Sequence, residues 1–165
     1  MNALSQFEDK YLEEIIELIL YVQNYEFQLD ISIDEQSDIL DIQTNYIHDG
    51  GNFWVALNEK RRVIGTIGLQ KKTDEIFILK KFFVYIEYRG GEFAVGQKLF
   101  EVLLEYAKQQ GATTIFLDSP SIATRSHHFY EKNGFKVITK EELPIPYGYP
   151  DRNSYLYRLD LLGSA

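Results

Sequence analysis

The stretch that most constrains the fold runs from Ile76 to Gly111. It opens as a run rich in Ile, Phe, Val and Tyr as far as Ile86, broken by Lys80 and Lys81. It then passes through Arg89-Gly90-Gly91 and continues with Leu99, Leu103, Tyr106 and Ala107 at helical spacing. Aromatic and β-branched runs read as strands, and a 3.6-residue apolar period reads as an amphipathic helix. A strand fed through a glycine turn into a helix requires a sheet with helices layered on it.

The flanking segments extend that plan. Leu12, Ile15, Ile16, Ile19 and Val22 recur at helical spacing and predict a first helix. Asp34 is placed to cap a second, reaching about Ile47. Phe53 to Leu57 and Val63 to Leu69 read as a hairpin around Asn58 to Arg62. Thr114 to Leu117 is a strand, Ala123 to Lys132 a helix, and Phe135 to Ile138 and Ser154 to Leu161 are two more strands. The expectation is one mixed α/β domain over residues 1–165, with about four helices flanking the sheet.

Composition excludes several functions. There are no cysteines, so disulfides, thiolate metal sites and cysteine nucleophiles are out. The three histidines are His48, His127 and His128, and the adjacent pair points in different directions, so no metal site is expected. A formal net charge of -8 argues against nucleic acid and anionic membranes as partners. No basic stretch leads into an apolar run, and no run reaches the roughly 20 apolar residues of a membrane span. A soluble cytoplasmic protein is the expectation.

The junction itself suggests an anion site. A glycine turn at a helix start exposes backbone N–H groups at the positive end of the helix dipole. Arg89 adds a planar donor fork. Neither G-x-x-x-x-G-K-[ST] nor G-x-G-x-x-G is present, so the two common nucleotide loops do not fit.

A second block lies downstream. Ile115-Phe116-Leu117-Asp118-Ser119-Pro120 is followed by Phe129-Tyr130-Glu131-Lys132-Asn133-Gly134-Phe135. An Arg-Gly-rich strand-to-helix turn, then a strand, then a helix ending in Phe-Tyr-Glu-Lys-x-Gly-Phe, resembles the GNAT acetyltransferase superfamily over roughly Phe53 to Ile138.

The resemblance implies a mostly antiparallel mixed sheet splayed at its middle strands. It implies acetyl-CoA as co-substrate, no metal, and an amine acceptor. Phe82, Phe83 and Val84 match the strand that pairs with the pantetheine arm. Arg89, Gly90, Gly91, Ala94, Val95, Gly96 and Gln97 match the pyrophosphate turn. Ala94 stands in place of a glycine there, which a negative φ would permit. Tyr130 matches the tyrosine that protonates the CoA thiolate, a role that suits a phenol.

Three positions depart from the family. Ile78 replaces the usual carboxylate base, and Ala123 replaces an Asn, with Ser121, Thr124 or Ser126 as substitutes toward the pantetheine. The turn is irregular, with Glu92 inside it. Asp118, at a strand end, is the candidate base, and it equally suits a turn before Ser119-Pro120. Glu75, Glu87 and His127 are fallback bases.

The acceptor side is assigned to the first two helices and the Pro144 to Arg152 loop. These carry Glu26, Asp30, Asp34, Glu35, Glu141, Glu142 and Asp151, with Tyr25, Tyr147 and Tyr149. Such a rim favours a cationic amine. Homodimers are frequent in the family, so a second copy of the chain is a candidate partner. The alternative to an active enzyme is a GNAT-fold protein that binds acyl-CoA without catalysis.

Overall fold

The computed structural model describes residues 2–90, 94–146 and 153–161. A strand missed in the sequence, β1 (Ala3–Gln6), comes first. Helix α1 (Leu12–Leu20) follows and runs on as a π-helical turn over Tyr21–Glu26. After it come β2 (Asn52–Leu57), β3 (Val63–Lys71) and β4 (Ile76–Val84). The chain then forms α2 (Val95–Gln109), β5 (Thr114–Pro120), α3 (Thr124–Lys132), β6 (Lys136–Ile138) and β7 (Ser154–Asp160).

Among the described residues the strands form one seven-stranded sheet in the order β1-β2-β3-β4-β5-β7-β6. Every pairing is antiparallel except that of β4 with β5. That parallel pairing runs from Ile76↔Thr114 to Ile78↔Phe116. Beyond it, β4 stays with β3 as far as Val84, and β5 stays with β7 as far as Pro120. The expected splay between the middle strands is therefore present.

The sheet is covered on both faces, which explains why β2 is buried throughout. Trp54 and Ala56 join the cluster around Leu99, Phe100 and Leu103 of α2. Phe53, Val55 and Leu57 alternate with them and pack among Ile15, Leu18 and Ile19 of α1. Gly68 leaves room for this second layer, because a Cβ there would lie 2.9 Å from the Tyr46 ring.

The expected helix from Asp34 to Ile47 does not form as one piece. Ser32, not Asp34, supplies the cap, through a capping box with Glu35. A 3₁₀ segment (Ile33–Leu40) is broken at Gln36, where φ is -141 and ψ is 55. A π-helical turn covers Gln43–Ile47. The break turns the Gln36 side chain inward, where it exchanges hydrogen bonds of 2.6 and 3.0 Å with buried Gln23.

Candidate active site

The splay opens a cleft with a cavity of about 840 Å³. The expected residues Phe82, Phe83, Val84, Arg89, Gly90, Ala94, Gly96, Gln97, Asp118, Ser126 and Tyr130 all line it. Val95 does not. Its side chain is buried in the core against Leu99, so it can offer only its backbone N–H. Gly91 and Glu92 lie outside the described residues.

One end of the cleft is the start of α2. The N–H groups of Val95, Gly96 and Gln97 occupy its first turn, where an α-helix provides no acceptor of its own. Gly90 turns the chain with φ of 66. Ala94, the residue before the helix, has φ of 41, so the expected negative angle is wrong. The left-handed geometry that turns the strand into the helix is imposed on a residue with a Cβ, at a cost of about 1–2 kcal/mol.

Arg89 is not the open cation the sequence suggests. Its Nε donates to the Val84 carbonyl at 2.7 Å, and both terminal nitrogens meet the Glu26 carboxylate. Arg125 and Lys132, which sequence reasoning passed over, also line the cleft. Arg125 reaches the turn itself, since a Cβ on Gly90 would lie 3.3 Å from its guanidinium. Both stand on α3, Arg125 before Tyr130 and Lys132 after it within the same motif.

Tyr130 is 6% exposed, among Phe82, Phe129, Phe135 and Tyr157. Burial pushes its phenol well above the usual range, and the Asp118 carboxylate and Tyr157 add to this. It is therefore a protonated donor at neutral pH. Asp118 lies on β5 opposite Leu156, half-buried. It lines the cleft, and its charge adds to the raised pKa of Tyr46 and supports the charged form of Lys81.

The fallback bases stand elsewhere. His127 is buried, with Nε2 2.9 Å from the Pro120 carbonyl and its ring against Tyr155 and Tyr157. Neither it nor Glu75 nor Glu87 lines the cleft. Ile78 and Ala123, two of the three departures, are both buried.

A third site residue missed in the sequence is Lys81. The bulge in β4 falls here, where φ is 55 and Lys81 and Phe82 together face Ile67 of β3. The Lys81 side chain is 7% exposed and lines the cleft. Its Nζ donates to Gln36 Oε1 at 2.9 Å and lies 4.0 Å from Asp38. Asp38 in turn accepts from the Tyr46 hydroxyl at 2.5 Å. Burial lowers the Lys81 pKa, with Lys80 contributing, while Asp38 and Asp118 oppose the shift. The signal was legible: a lysine inside an otherwise apolar strand of a sheet covered on both faces must find a buried partner or a cleft.

Of the acids expected to form an acidic rim, Glu26 alone lines the cleft among the described residues, and Arg89 engages it. Tyr147, Tyr149 and Asp151 lie outside the described residues. Among the described residues no group of three or more potential metal ligands occurs, and no helix is long and apolar enough to cross a membrane.

Comparison with known proteins gives a consistent picture. Residues 49–137 match the model of the acetyltransferase (GNAT) domain. An acetyltransferase from Streptococcus agalactiae 2603 is 42% identical, with a TM-score of 0.93 over 97% of this chain and 98% of that one. A GNAT-family acetyltransferase from Staphylococcus aureus Mu50 is 33% identical, with a TM-score of 0.92 over 98% and 99%. The probable N-acetyltransferase camello of Xenopus tropicalis is 32% identical over 112 residues, 66% of this chain and 50% of that protein. The chain spans about half the length of the curated relatives it matches.

Proposed function

The chain belongs to the GNAT acetyltransferase family, and on that premise we propose that it transfers an acetyl group from acetyl-CoA to a primary amine of a small molecule or peptide. The observation that carries this reading is the splayed cleft with the first turn of α2 at one end and buried Tyr130 on its wall.

The residues present fit the co-substrate. The N–H groups of Val95, Gly96 and Gln97 suit a pyrophosphate, with Arg125 and Lys132 as the nearby cations. The edge of β4 freed by the splay offers Phe82, Phe83 and Val84 to an extended arm, as an added strand would use them. The thioester supplies the acyl group.

The residues then divide the chemistry. β4 holds the acyl carbonyl, and the cleft holds the amine beside it, so that orientation lowers the barrier. The C–N bond forms as the C–S bond breaks. Asp118 takes the proton from nitrogen through a water, and Tyr130 gives its proton to the departing sulfur.

Thiol release should require acetyl-CoA and a primary amine together, and initial-rate plots for the two substrates should intersect. Parallel lines would rule out direct transfer in a ternary complex. The second reading is an acyl-CoA-binding protein without turnover, favoured by the engagement of Arg89 with Glu26. It predicts acetyl-CoA binding with no thiol release for any amine.

A further inference from the structure

We propose that the acceptor is an amine that also carries a carboxylate close to the reacting nitrogen, as an amino acid does, and that Lys81 receives that carboxylate. The inference rests on the acetyl-transfer reading and names its substrate class.

Lys81 is a buried cation on the cleft wall with one protein hydrogen bond among the described residues. An ammonium has three N–H donors. One goes to Gln36 at 2.9 Å. Asp38, at 4.0 Å, is beyond hydrogen-bonding distance and is itself held by Tyr46 at 2.5 Å. An ammonium taken out of water with donors unspent is costly unless a ligand completes it. A carboxylate has two oxygens that accept such donors and one charge that matches.

The position also fits. Phe83, two residues on from Lys81 across the bulge, belongs to the stretch that would hold the thioester end, and both residues line the cleft. A carboxylate on Lys81 would therefore bring a neighbouring amine close to the acyl carbon. Phe27, Leu29 and Ile31 also line the cleft and suit an apolar remainder of the acceptor. Asp118, on β5, lines the same cleft as Lys81, and its negative charge supports the Lys81 ammonium. An acceptor with both groups can thus meet a cation and an acid at once. The left-handed φ of 55 at Lys81 aims the side chain at this place instead of leaving it on the regular pleat.

The test uses the twenty common L-amino acids and their carboxamides as paired acceptors, with thiol release from acetyl-CoA as the readout. Wild type and Lys81→Met are compared, and the thermal shift with acetyl-CoA checks that each is folded and binds it. At least one acid should be used ten-fold or more better than its amide in kcat/KM, and Lys81→Met should abolish that preference while keeping the shift. Amides used as well as acids by wild type would overturn the acceptor class but leave acetyl transfer standing. So would a preference that persists in Lys81→Met. A thermal shift without thiol release from either series would overturn the acceptor class alone. Absence of both the shift and release would overturn the acetyl-transfer reading with it.

Discussion

Arg89 and Glu26 clasp each other across the cleft mouth, guanidinium fork to carboxylate, while Arg89 Nε holds the Val84 carbonyl at 2.7 Å. The pair ties the end of β4 to the π-helical turn after α1. Arg89→Ala leaves the carbonyl and the carboxylate without these donors. It should therefore cost about 1–3 kcal/mol of stability with no ligand present, measured by urea unfolding. An arginine used for phosphate alone would leave the stability of the free protein unchanged.

Tyr130→Phe keeps the ring contacts with Phe82 and Tyr157 and removes the proton donor. We expect kcat to fall roughly 10²- to 10⁴-fold, the usual weight of general acid catalysis. The dissociation constant for acetyl-CoA should change little. Retention of full turnover would remove Tyr130 from the mechanism.

The buried tyrosines set an alkaline limit. Tyr46 and Tyr130 both have pKa values raised mainly by burial. A raised native value means that the unfolded chain loses these protons first, near pH 10. Their contribution is thus full below about pH 10 and is lost as pH rises toward the native values. Denaturant midpoints should fall above about pH 10, and less steeply in Tyr130→Phe. Equal slopes for the two proteins would contradict this assignment.

Ala94 holds φ of 41 where glycine is unstrained. Ala94→Gly relieves a left-handed penalty of about 1–2 kcal/mol and adds back roughly 0.5–1 kcal/mol of chain entropy. A net gain of about 0.5–1 kcal/mol in urea unfolding is expected, with acetyl-CoA binding retained. A loss of stability would show that the turn does not need this conformation.

Where burial follows a simple period, the fold was legible in the sequence. The apolar runs of β2 to β5 and the helical spacing of α2 and α3 needed no tertiary information. β1 escaped because Ala3–Gln6 is short and half-exposed, and its strand identity comes from pairing with β2. The segment after Asp34 escaped because Gln36 breaks it to reach Gln23, thirteen residues away.

The site divides in the same way. The turn and Tyr130 belong to local patterns and could be read. The engagement of Arg89 depends on Glu26, 63 residues away, and no local rule reports it. Val95 faces inward because α2 lies on the sheet, so the stretch that contains the turn also contributes to the core. Of the acids counted as a rim, Asp30, Asp34, Glu35, Glu141 and Glu142 are exposed and do not line the cleft, whereas the lysine read as an interruption in a strand became part of the cleft wall.

Thermal melting with excess acetyl-CoA, against ATP and NAD as controls, shows whether this cleft holds acetyl-CoA. At about 100 times its dissociation constant, acetyl-CoA should stabilise the fold by roughly 2.7 kcal/mol, which raises the melting temperature by about 5–10 °C. ATP and NAD should leave it nearly unchanged. A melting temperature unmoved by acetyl-CoA, or moved equally by ATP, would contradict the account.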